Sequence, residues 1–392
     1  MAKRKRKLKV GSPDYLLFIV ATLLIIGLVM VYSSSFGLAY EAYDNPNYFL
    51  IRQITWAMLG TIALLVMGRI EYHIWQRLSI PIMVVVLVSL VVVLFVGSER
   101  FGSRRSFFNG SLQPSEPCKL GVIIYIAVWL SSKGEKLRQL TYGLIPFAVL
   151  IGLVAGLIMS QPDFGTSLLI VATTVAMFLI AGADLVQLLI GLAFGGATIG
   201  LLVKQIPYVM ERVHTFMNPL GDPSGAGYHI GRLLFTLAKG GISGVGLFAG
   251  HQIFGYIPAS HTDSIFAIIG GELGLIGCLI VLGLFIALAY RGLRIALQAP
   301  DTFGTILASG ITCWLVFQAL INMAAVTSTI PFTGITLPFI SFGGSSLVTS
   351  MAGIGLLLSI SKGSRTARVE RSASFDFGRW NRRTRLSRTR RR

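Results

Sequence analysis

Apolar runs of bilayer length limit what this chain can become. Stretches of roughly 17 to 25 residues with few charges recur from Tyr15 to Ile360. At about 1.5 Å of rise per residue, each is long enough as a helix to cross the roughly 30 Å of hydrocarbon in a bilayer. Backbone groups in lipid must be satisfied internally, and runs without polar alternation select helices over a barrel. Ten spans are expected, near 14–34, 50–68, 79–97, 118–132, 141–159, 166–182, 184–203, 264–290, 304–327 and 337–360. The sixth and seventh are parted only at AGAD (181–184), but one merged helix of 38 residues would be far too long for a bilayer. With 54% hydrophobic and 13% charged residues and a mean hydropathy of +0.73, a soluble domain is excluded. The expected fold is an all-α polytopic membrane protein of about ten transmembrane helices.

The net charge of +18 is concentrated at the ends. Six Lys and Arg fall within residues 1–12, and twelve more lie in 362–392 against Glu370 and Asp376, so the tails hold +16 of it. These flanks read as cytoplasmic topology signals that also attract anionic lipids, and neither carries a folded nucleic-acid reader motif. Arg69, Arg77, Lys133, Lys136, Arg138, Arg291 and Arg294 fall on loops that a cytoplasmic N-terminus would place inside. The chain thus divides into a basic tail, a membrane domain over 13–361 and a second basic tail, with both termini cytoplasmic. The first span is too long, and lacks the cleavage site, for a removable signal peptide. Cys118, Cys278 and Cys313 have no spacing that suggests a disulfide or metal knuckle.

The outer loops are unequal. The largest, about 204–263 between the seventh and eighth spans, contains YHIGRLLFTLAKG, whose periodicity predicts a short amphipathic or re-entrant helix. Another, 98–117, carries Arg100, Arg104 and Arg105 where the topology rule disfavours positive charge. Either an anionic ligand faces these arginines, or they reach lipid phosphates and neighbouring Glu99 and Glu116.

Glu116, Lys119, Asp163 and Asp263 all stand at the outer ends of spans, where each has an ordinary explanation. Asp163 and Asp263 are placed to cap helices, with Thr262 competing as a cap beside Asp263. Glu116 and Lys119, three residues apart, make a helix ion pair worth a few tenths of a kcal/mol, about 0.3, in water. Gathered at one depth with the arginine cluster, they also describe an outward-facing polar cavity. There a carboxylate can act as a base, and arginines can grip a phosphate or pyrophosphate. The five histidines are scattered without metal-ligand spacing, and neither a Walker loop nor a serine elbow is present.

The segments PDYLLFIVATLLIIGLVMVYSSS, QPSEPCK, QPDFGTSLLI, RVHTFMNPLGDPSGAGYHI, YIPASHTDSIFAIIGGELGLIG and ITLPFISFGGSS resemble the shape, elongation, division and sporulation (SEDS) family that includes RodA, FtsW and SpoVE. The likeness covers nearly the whole membrane portion. It implies a ten-helix glycosyltransferase that polymerises lipid II into glycan strands at the outer face of the bacterial cytoplasmic membrane. The short IPFTGITLPFISFGGSS and the basic C-terminal tail lean toward the FtsW and SpoVE branch, and so toward septal synthesis. By this carry-over Asp263 is the catalytic base. Arg105 and Lys119, with Arg104 and Arg212, hold the pyrophosphate. His261, Thr262 and Ser345 are supporting polar groups, and Glu116 and Asp163 either tune the base or hold a divalent cation such as Mg or Mn. The expected partners are lipid II, the nascent strand, a class B penicillin-binding protein and other division proteins. The chain departs from the family pattern at His229 and Arg232, where Gln is usual, and at Ala259, Ser264, Gly271 and Ser106.

Two rival readings remain, a lipid II flippase and a non-enzymatic scaffold for the transpeptidase. A flippase needs an inward-open as well as an outward-open state, would be favoured by internal repeats with paired broken helices, and should show polar groups through the full membrane depth. The sequence shows no internal repeat, and the inner halves of its spans are nearly bare of charge.

Overall fold

The computed structural model describes residues 14–100, 103–106, 113–205, 207–218, 226–249 and 260–364. Each of the ten expected apolar segments falls on a helix. These are α1 (Asp14–Tyr43), α2 (Tyr48–Arg69), α4 (Ser79–Val96), α5 (Ser115–Lys133), α6 (Leu144–Met159), α7 (Phe164–Ile180), α8 (Leu185–Gln205), α11 (Ile265–Gln298), α12 (Thr302–Val326) and α13 (Gly344–Ser364). Among the described residues three shorter α-helices lie between them, α3 (Tyr72–Arg77), α9 (Pro207–Met217) and α10 (Ala226–Gly240). By length and composition, α1, α2, α4, α11, α12 and α13 can each cross a membrane, and α6, α7 and part of α8 are shorter apolar helices. The protein is an integral membrane protein.

The bundle is built around its last two helices. In α12 and α13, 67% and 78% of the most apolar window is buried, against 28% in α2, α4 and α11. α12 packs on α11, α7 and α5, while α11 also meets α10 and α1. α13 lies along α2 through small residues. A side chain at Gly355 would strike the Leu64 carbonyl, one at Gly344 would strike Trp56, and Gly60 faces Met351. Lipid offers no hydrophobic drive between helices, so such close approach supplies the packing that holds them.

The outcome departs from the sequence reading at three places. Residues 98–117 are not all loop, because β1 (Ser98–Arg100) and β2 (Ser103–Ser106) pair antiparallel with Glu99 opposite Arg104. The last helix begins at Gly344 instead of near 337, since Pro331 and Pro338 interrupt helical hydrogen bonding before it. Arg291 and Arg294 lie inside α11, which runs on to Gln298, with their guanidinium groups over the rings of Tyr15 and Tyr290.

α10 occupies the helix predicted in the large loop and packs on α11, which is broken at Gly274 (φ +66°, ψ −165°). The turn after α10 repairs that break. Leu275 N–H donates to Gly241 O and Ile276 N–H to Ile242 O, while Val245 and Gly246 donate to Gly271 O and Glu272 O. Unwound backbone between apolar helices is tolerated when a neighbour satisfies it in this way.

Candidate functional site

The polar residues converge on the non-helical segment 327–343 that joins α12 to α13. Its carbonyls would be costly to bury alone, at about 1–3 kcal/mol each, and side chains from elsewhere satisfy them. Arg212 of α9 donates through Nη1 to Phe332 O (2.7 Å), Asn322 of α12 donates to Ile335 O (2.7 Å), and Gln318 donates to Thr336 O (3.0 Å). Gln53 of α2 donates to Ser341 O at 3.2 Å. Phe342 N–H donates to His261 O at 2.8 Å, which ties the segment to the turn before α11.

Asp263 lies on that turn, partly exposed, one residue before Ser264 at the N-cap of α11. Its carbonyl accepts from Asn322 Nδ2 (2.8 Å), and its Oδ1 accepts from Thr262 Oγ1 (3.1 Å). Gly334 stands opposite. A side chain there would begin 3.6 Å from Asp263 Oδ2 and 4.0 Å from Arg212 Nη2, so carboxylate and guanidinium face the same small volume. Gly334 adopts φ +72°, which an L side chain rarely takes.

His261 packs its ring against Phe49 and Phe342 (centroids 4.5 and 5.5 Å apart), and its buried Nδ1 has no hydrogen-bond partner among the described residues. Burial lowers its pKa to about 4, so the imidazole is neutral at physiological pH. Two departures from the family pattern meet beside the carboxylate, where His229 Nε2 lies 3.0 Å from Ser264 Oγ.

Lys119 and Glu116 form their expected pair at 2.7 Å, but in a dry setting, with Lys119 1% exposed and Glu116 7%. Lys119 Nζ also donates to Gln318 Oε1 (3.0 Å), which takes a second bond from Trp314 Nε1 (2.9 Å). The ammonium is therefore held inside the bundle by α12 rather than lining an open surface. Asp163 takes the capping role foreseen for it, Oδ1 accepting from Thr166 N–H at 3.0 Å. Its Oδ2 accepts from Gln113 Nε2 (3.2 Å), whose own N–H reaches Ser345 Oγ (3.1 Å). Glu116 and Asp163 do not fit a divalent cation in this arrangement. One is paired with an ammonium that would repel the metal, the other is spent on N–H donors, and no group of three metal-binding side chains occurs among the described residues. Arg104 and Arg105 lie on β2, with side chains outside the described residues.

Gln318 and Asn322 escaped the sequence reading. The available signal was two amides four residues apart in an otherwise apolar span, since polar groups in such helices face partners in the bundle.

Comparison with known proteins places this architecture. A family profile for the FtsW, RodA and SpoVE proteins, described as cell cycle proteins, matches residues 14–366. The probable peptidoglycan glycosyltransferase FtsW of Trichlorobacter lovleyi is 39% identical over 358 residues, covering 90% of this chain and 93% of the relative. Stage V sporulation protein E of Bacillus subtilis is 40% identical over 363 residues, 91% of this chain and 99% of that protein. Among solved structures, a chain described under the structural coordination of polymerization and crosslinking by a peptidoglycan synthase complex superposes with a TM-score of 0.74. It is 29% identical and covers 88% of this chain and 96% of its own length. The rod shape determining protein RodA of Thermus thermophilus aligns at a TM-score of 0.65 and 29% identity, over 88% of this chain and 95% of its own.

Proposed function

Because the chain belongs to the FtsW, RodA and SpoVE family, we propose that it is a peptidoglycan glycosyltransferase that polymerises lipid II, with Asp263 as the base. The observation that carries this reading is the carboxylate itself. Asp263 is partly exposed on a turn, its backbone is fixed by Asn322, and it shares the volume over Gly334 with Arg212.

In the proposed reaction Asp263 takes the proton from the GlcNAc 4-hydroxyl of an acceptor lipid II. The oxygen forms a bond to the MurNAc anomeric carbon of the donor with inversion. The bond from that carbon to the pyrophosphate oxygen breaks, and its electron pair leaves on undecaprenyl pyrophosphate. A cation near the departing oxygen stabilises the developing charge, and Arg212 is the described guanidinium best placed for it. Arg104, Arg105 and Lys119 are further candidates by resemblance to the family. Because Lys119 is buried in the α12 network, its role here is to hold the frame of the cavity. Asp263 afterwards releases its proton to water. Partnership with a class B penicillin-binding transpeptidase, action at the outer face with both termini cytoplasmic, and a role in septal synthesis complete the proposal. The FtsW and sporulation relatives support that last element.

The test is polymerisation of labelled lipid II by the purified protein co-expressed with its class B partner. Wild type should make glycan strands, and folded Asp263→Asn and Asp263→Ala should lose at least about a hundredfold in rate. Polymerisation by both variants would remove Asp263 from the chemistry. An inert wild type that instead moves lipid II across vesicle membranes would favour the flippase.

A further inference from the structure

We propose that Asn322 is a positioning residue for the reaction, a bracket that sets where the Asp263 carboxylate stands relative to Arg212 and the loop around Gly334. The inference rests on the reading of Asp263 as the base and extends it to a residue that touches no reacting atom.

The geometry assigns the orientation of the amide. Asn322 Nδ2 lies 2.8 Å from Asp263 O and 2.7 Å from Ile335 O, both carbonyls, so only the end carrying two hydrogens can face them. One side chain thus joins two backbone segments that nothing in the sequence connects, the turn before α11 and the strap between α12 and α13. Ile335 follows Gly334, and Phe332, which anchors Arg212, lies three residues before it. Fixing both carbonyls to one rigid amide therefore fixes the base and the Arg212 anchor in a common frame.

The side chain is 2% exposed on α12, among the most buried helices of the bundle. One turn earlier, Gln318 makes the equivalent bond to Thr336 O, so two amides at successive turns hold consecutive carbonyls of the strap. The difference between them is functional. Gln318 connects the strap to the Lys119 pair, whereas Asn322 connects it to Asp263. The buried Oδ1 of Asn322 has no hydrogen-bond partner among the described residues, so nothing but the two donor bonds explains a polar side chain at this depth.

The experiment uses the full chain with its class B partner and lipid II as substrate, comparing wild type, Asp263→Asn, Asn322→Leu and Asn322→Ser. Leu keeps the volume and removes both donors, while Ser retains one short donor and serves where Leu does not fold. With the base loosened, kcat should fall about ten- to a hundredfold at nearly unchanged KM. The acid limb of the pH–rate profile should also move, because the carboxylate no longer keeps its distance from Arg212. Loss of activity in proportion to loss of folded protein, with kcat per folded molecule and the pH profile unmoved, would overturn the inference and leave Asn322 a packing residue. Full activity in Asp263→Asn would sink the reading of the base itself, an outcome the Asn322 variants cannot imitate.

Discussion

His261 and the Glu116–Lys119 pair illustrate how much chemistry depends on surroundings that spacing does not reveal. His261 was legible as a polar neighbour of Asp263, but its aromatic packing against Phe49 and Phe342 was not, because Phe49 comes from α2. With its pKa lowered from 6.5 to about 4, the folded state resists a proton that the unfolded state accepts. Stability contributed by the neutral ring is therefore complete above the unfolded value and declines as pH falls from about 6.5 to about 4. His261→Phe should flatten this decline, and thermal unfolding in detergent across that range should show the variant gaining on wild type by at most about 3 kcal/mol. The Glu116–Lys119 pair was visible as an i, i+3 spacing with the energy of a solvated pair. Its burial against Gln318 and Trp314 changes the magnitude. Breaking a buried pair strands a charge, so Glu116→Gln or Lys119→Met should each cost about 3–5 kcal/mol. The double variant should recover most of that loss in the same melting assay.

At the scale of elements, the apolar runs announced the helices because length and hydrophobicity are local properties. Their ends and interruptions were harder to see, since those are set by partners distant in sequence. Pro331 and Pro338 were present in the segment read as the start of the last span. What makes that segment a strap is the set of donors from α2, α9 and α12 that satisfy its carbonyls. Likewise, nothing local in GGELGLIG distinguishes Gly274 as a break, and the repair comes from the turn after α10. A side chain at Gly274 would start 2.4 Å from both Gly244 N and Ile242 O while its φ is +66°, so backbone would have to move. Gly274→Ala should therefore lower stability by at least about 2 kcal/mol and loosen α10 from α11. Gly283, in the same helix, has open space around its missing side chain. Gly283→Ala should be neutral or stabilising by up to about 1 kcal/mol, which makes it the internal control. Hydrogen exchange at 241–246 would rise in the first variant and stay unchanged in the second.

Across the whole molecule, the distribution of charge separates a polymerase from a carrier. Among the described residues the buried ionisable side chains of Asp, Glu and Lys are Glu116, Lys119, Asp163 and Glu272. The first three gather round the strap, and Glu272 accepts from Ser33 Oγ, next to Ser34, whose carbonyl takes a bond from Ser260 in the Asp263 turn. All four therefore share one level of the bundle. α1 continues from Ser34 to Tyr43, about 13 Å of helix, so this level is recessed below the helix end. The opposite end is organised differently. Asp301 caps α12 and accepts from Tyr72, with His73 3.0 Å away, and Lys362 donates to Gly68 O. Between the two levels the described spans bury no charged side chain, which suits chemistry at one face. In the orientation proposed above from the positive tails, the Asp301 end faces the cytoplasm and the strap the outside. In a chain with Cys118, Cys278 and Cys313 replaced, Thr329→Cys on the strap should react with an impermeant maleimide in intact cells. Gln76→Cys on α3 should react only after the membrane is opened, both positions being exposed. Reversed labelling would turn Asp263 toward the cytoplasm and remove strand polymerisation at the outer face, whereas labelling of both sites in intact cells would reveal the open path that a carrier requires.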